Sequence, residues 1–61
     1  MQFVLSLKMS GAAFDDPAAE TARLLREAAE QVDAAGAVVG TRAVLMDVNG
    51  NRCGGWEVIK G

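Results

Sequence analysis

The chain has 61 residues, one cysteine, no histidine, two phenylalanines, one tryptophan and a formal net charge of −2, with a pI near 4.8. These totals exclude an internal disulfide, histidine-based catalysis and a Cys/His zinc site. The acidic balance argues against general nucleic-acid affinity, which rests on Lys and Arg neutralising phosphates. A single domain over residues 1–61 buries only about 60% of its unfolded surface, so self-association is the expected source of extra stability.

Residues 1–9 alternate, with Met1, Phe3, Leu5, Leu7 and Met9 on one side and Gln2, Val4, Ser6 and Lys8 on the other. Period two predicts a strand with one buried face. The start is short, polar-interrupted and without a basic leader region, so no secretory signal is read there. No apolar run approaches a membrane span, and the expected location is cytoplasmic.

Ser10-Gly11-Ala12-Ala13 reads as a loop, and a helix starts after it. Asp16 is a suitable N-cap, and Pro17 fits the first helical position, where its missing N–H costs nothing. Asp15 and Glu20 place negative charge at the positive end of the helix dipole. From Pro17 to about Ala35 the residues are strong helix formers. Ala18, Thr21, Leu24, Leu25, Ala28, Val32 and Ala35 make one apolar stripe, with Phe14 tucking under the first turn. Arg23–Glu27 and Arg26–Glu30 are i,i+4 pairs on a solvated face. Gly36 stops the helix.

Two further strands are predicted, from about Thr41 to Asp47 and from about Arg52 to Ile59. Between them, Val48-Asn49-Gly50 fits a three-residue hairpin loop with Gly50 left-handed, and a two-residue Asn49-Gly50 turn is the competing register. Gly54-Gly55 signals a bulge or a close approach of another backbone. One extra residue there reverses every later side chain, so the face of Trp56 is open at this point. The expected fold is a two-layer α+β domain of order β-α-β-β: a three-stranded mixed sheet with one helix on one face.

One helix covers one sheet face. The other is expected to carry Val4, and Val44 with Met46 or else Leu45, among Gln2, Ser6, Lys8 and Arg42 or Thr41. Trp56 and Val58 either join that face or fill the core beneath the helix. The candidate interaction residues are Trp56, Arg42, Arg52, Met46 and Val44.

No catalytic, metal or cofactor set emerges. Cys53 lacks a basic partner. No glycine cluster opens a helix as a phosphate loop does. Asp47-Val48-Asn49-Gly50-Asn51 alternates oxygen donors like a calcium loop, but Arg52 and Val58 stand where an EF-hand needs Gly and Glu.

The opening strand, the D-D-P-A-A-E…A-R-L-L-R helix and the closing D-V-N-G-N-R…G-x-W-E-V segment resemble small uncharacterised proteins of actinobacterial phages and prophages. Their closing segment often reads D-x-N-G-N-x-x-G-x-[WF], and Asp47, Asn49, Gly50, Asn51 and Trp56 match it. The resemblance implies a phage accessory protein that binds a host or phage protein, and it brings no catalytic residues. The resulting expectation is a non-catalytic protein-interaction module, homodimeric, without cofactors or membrane attachment. A nucleic-acid module using the same basic sheet face is the alternative, and a fragment of a phage enzyme ranks third.

Overall fold

The computed structural model describes residues 1–61. Strand β1 spans Gln2–Leu7, a short 3-10 turn Ala12–Phe14, helix α1 Pro17–Ala35, strand β2 Arg42–Met46 and strand β3 Arg52–Ile59. Helix α1 begins as its sequence dictates: the Asp16 carboxylate accepts the Ala19 N–H at 3.2 Å, ahead of Pro17 in the first turn. Its last turn closes with the Gly36 N–H donating to the Val32 carbonyl at 2.8 Å.

The hairpin adopts the three-residue register. Asp47 N–H donates to the Asn51 carbonyl at 2.8 Å and Gly50 N–H to the Asp47 carbonyl at 2.9 Å. Gly50 has φ of 80°, a left-handed value that a Cβ would oppose. The Asp47 carboxylate accepts the N–H groups of Asn49 at 3.0 Å and Asn51 at 2.9 Å. This explains the alternating oxygen donors: they build a turn that bonds its own backbone.

The two-layer β-α-β-β architecture is the expected one, with three strands and one helix. The pairing corrects the expected mixed sheet. The strand order is β1-β3-β2, and both ladders are antiparallel. β1 and β2 do run in the same direction, as a helical crossover requires, but β3 lies between them.

Insertion of β3 depends on Gly54 and Gly55. A Cβ at Gly54 would collide with the Ser6 carbonyl oxygen of β1, and one at Gly55 would sit 2.5 Å from the Ala43 carbonyl oxygen of β2. The central strand is thus gripped by backbone on both sides. The register also shifts between Leu45 and Met46, where Leu45 faces Gly54 and Met46 faces Arg52. Cys53 is the extra residue of this bulge. It restores Cys53 and Trp56, three apart, to one face.

The core comprises Phe14, Leu24, Ala28, Leu45, Cys53, Trp56 and Val58, with Leu5, Leu7, Ala13, Val32 and Ala43 packed around it. The apolar stripe of α1 is narrower than its periodicity predicts. Leu24 and Ala28 are buried, but Leu25 is 51% exposed, and Ala18 and Ala35 are exposed. The helix leans over β2 and leaves the flank beside β1 uncovered.

Gly54→Ala is expected to cost about 3 kcal/mol or more, enough to unfold most of a domain this small. Gly50→Ala, which only strains a turn, costs about 1 kcal/mol. Thermal unfolding followed by circular dichroism checks the ranking; equal midpoints for the two variants would contradict the close packing of β3.

Candidate interaction surface

The bulge and the registers divide the side chains between two sheet faces. Phe3, Leu5 and Leu7 pair with Val58, Trp56 and Gly54 on the side of α1. Val4 pairs with Glu57 and Ser6 with Gly55 on the opposite side, where Arg42 and Val44 flank the same two residues from β2. Met46 and Arg52 form the last pair of this open face. Val4 is 39% exposed, and Val44 and Met46 are each 43% exposed. Because Gly55 has no side chain, a shallow groove of about 660 Å³ lies over it, walled by Val4, Ser6, Arg42, Val44, Arg52 and Glu57. Two arginines against one glutamate give the groove a positive balance, although the chain as a whole is acidic.

Four of the five candidate residues therefore share this face: Arg42, Val44, Met46 and Arg52. Trp56 does not. It is 3% exposed, its indole N–H donates to Gln31 Oε1 at 2.7 Å, and its ring stacks on Phe3 with centroids 5.3 Å apart. The bulge at Cys53 is the physical reason, because it turns Trp56 toward the helix along with Val58. Leu45, the competing candidate in β2, is also fully buried. Trp56 is a core residue here, and replacing it probes folding before it probes binding.

Glu20 has a role that its sequence position does not announce. It is 6% exposed. Its carboxylate accepts Arg23 Nε at 2.7 Å and Arg23 Nη2 at 2.9 Å, and also the Val48 N–H at 2.8 Å. Arg23 Nη2 donates in turn to the Met46 carbonyl at 3.1 Å. This forked pair clips the first turns of α1 to the β2–β3 hairpin. Arg23 lies 3.6 Å from Glu27, the weaker of its two ion pairs. The expected Arg26–Glu30 pair does not form; Arg23 makes both of the helix's ion pairs. The i,i+3 spacing of Glu20 and Arg23 was visible in the sequence, but the Val48 contact that buries it spans 28 positions.

Cys53 is buried, and its thiol sits 3.5 Å from the Leu45 carbonyl. Burial, then the negative charges of Asp47 and Glu20, push its pKa up. A raised pKa keeps the thiol protonated and a poor nucleophile. No three His, Cys, Asp or Glu side chains gather to hold a metal ion. No helix is long and apolar enough to cross a membrane.

The hydrogen bonds from Arg23, with the Val48 N–H and the Arg23 charge, hold the Glu20 carboxyl below its ordinary pKa against the opposing effect of burial. A folded-state pKa below the unfolded one contributes stability above the unfolded value, and that contribution is lost as pH falls through the folded one. Acid titration is therefore expected to loosen the hairpin from the helix below the ordinary carboxylate range. Glu20→Gln should be less stable at neutral pH and show a flatter stability profile in acid. Urea midpoints measured across that range test this, and parallel profiles for the two proteins would refute it.

No protein-family model, no curated protein and no solved structure matches the chain.

Proposed function

We propose that this is a non-catalytic protein-interaction module that self-associates and binds a partner protein through its open sheet face. The observation that carries the reading is that face itself. Val4, Val44 and Met46 stand a third or more exposed beside Arg42 and Arg52, around a groove floored by Gly55. An apolar centre rimmed by arginine is the usual make-up of a protein-binding patch. The phage or prophage setting implied by the sequence resemblance makes a host or phage protein the partner, met in the host cytoplasm.

Nucleic-acid binding through the same face has less support. Single-stranded binders stack bases on aromatic side chains, and this face carries none: Trp56 and Phe14 are buried, and Phe3 lies on the helix side with Trp56.

Capture from host lysate is the test, with wild type compared against Val44→Asp combined with Arg42→Glu. Both positions are exposed, so the variant should keep its circular dichroism spectrum while losing a protein that wild type retains. Identical recovery by both would remove the open face from the binding site. A mobility shift of DNA or RNA at low salt would favour the nucleic-acid reading instead.

A further inference from the structure

The charges of the chain are sorted between its two layers. In α1 and just before it, Asp15, Asp16, Glu20, Glu27, Glu30 and Asp33 stand against Arg23 and Arg26, and Arg23 already serves Glu20 and Glu27. The open sheet face is the reverse. Arg42 and Arg52 stand on it, both exposed. Lys8 is exposed too, and its N–H continues the ladder to the Cys53 carbonyl at 2.7 Å. Alternation therefore places it on the face of Val4 and Ser6. Glu57 is the one acid among them. Asp47 lies near Lys8 and Arg52, but it is 8% exposed and its carboxylate is bonded to the hairpin N–H groups. None of the three cations takes part in an ion pair within the chain, so their charge is free for a partner.

Their placement follows the groove. Val44 pairs with Gly55, the floor of the groove, and two residues to either side of it along β2 lie Arg42 and Met46, the partner of Arg52. A strand advances about 3.4 Å per residue, so cationic stems start roughly 7 Å from the groove centre at both ends. The wall between them is aliphatic, with Val4 and Val44.

We propose that this face takes an acidic peptide segment of a partner protein. An apolar side chain of the segment sits over Gly55, and carboxylates on both sides of it meet Arg42 at one end and Arg52 with Lys8 at the other. The inference rests on the open-face reading above and names the chemistry of the partner.

Charge complementarity selects this occupant. The acidic helix layer repels such a segment and the basic sheet face attracts it, which steers the encounter to one side of the molecule. A second copy laid sheet to sheet brings three cations against three cations. A nucleic acid would meet the same cations, but the centre of the face holds no aromatic ring on which a base could stack.

Fluorescence anisotropy tests it with a labelled peptide that carries one leucine flanked on both sides by glutamates. Wild type is expected to bind this peptide, with amide shifts in the NMR spectrum centred on Val44 and Gly55. Raising salt from about 0.01 M to about 1 M shortens the screening length from about 30 Å to about 3 Å and should weaken binding at least about ten-fold. Arg42→Gln combined with Arg52→Gln should do the same, with the circular dichroism spectrum unchanged because both residues are exposed. Glu57→Gln should tighten binding, a result that a damaged fold would not give. No binding, indifference to the arginine variant, or equal binding of peptides with lysine for glutamate or serine for leucine would each overturn the proposal. So would tighter binding of single-stranded DNA, or growth of the protein alone into oligomers that the arginine variant dissolves, which would give the face to the acidic helix of another copy. A lysate partner lost by Val44→Asp, Arg42→Glu yet held equally at low and high salt would leave the open face standing and sink the acidic segment alone.

Discussion

The absence of side chains at Gly54 and Gly55 lets β3 run between two other strands at backbone contact distance. The Ser6 carbonyl of β1 and the Ala43 carbonyl of β2 occupy the space that Cβ atoms would need. Everything else follows from that central placement. β1 and β2 become the two edges, although they are far apart in sequence. The bulge at Cys53 sets which β3 side chains meet the helix. Trp56 arrives in the middle of the buried face, and Gly55 leaves a gap in the middle of the other.

With so few large side chains in the core, polar contacts complete the attachment of helix to sheet. Leu24 and Leu45 are its largest fully buried side chains. Around them, Glu20 and Arg23 hold the hairpin, while Gln31 joins the Trp56 indole to the Val44 carbonyl. All three polar residues draw α1 toward β2. Their buried groups are matched with donors and acceptors, as burial demands. The consequence on the far side is the uncovered flank of Leu25 and the bare β1 edge. One asymmetry in helix placement thus covers two carbonyls of the β2 edge and leaves the β1 side without cover.

The surface has two distinct apolar regions as a result. One is the open sheet face with Val4, Val44 and Met46, set among arginines. The other is the β1 edge with Phe3 and Leu25, set among helix charges of both signs. The first is suited to a partner with acidic rim residues.

Local pattern made several elements legible. Alternation in residues 1–9 marks β1, the Asp16-Pro17 start and Gly36 stop bound α1, and Asn49-Gly50 marks the hairpin. Each depends on neighbours in sequence: side-chain periodicity, capping hydrogen bonds and allowed φ angles. Gly54-Gly55 signalled a bulge or a close approach of another backbone; the close approach lies at the two glycines, and the bulge lies one residue earlier, at Cys53. The sequence by itself therefore determined the order and approximate extent of the elements, the place of the turn but not its register, and the absence of histidine and of an internal disulfide. The tertiary structure decided which strand is central, which face receives Trp56, and that Glu20 is buried rather than solvated. Those outcomes rest on long-range partners: the Ser6 and Ala43 carbonyls beside Gly54 and Gly55, the Val48 N–H for Glu20 and the Gln31 amide for Trp56. A strand pattern specifies alternation but not its neighbours, and a one-residue bulge reverses faces without altering the pattern on either side.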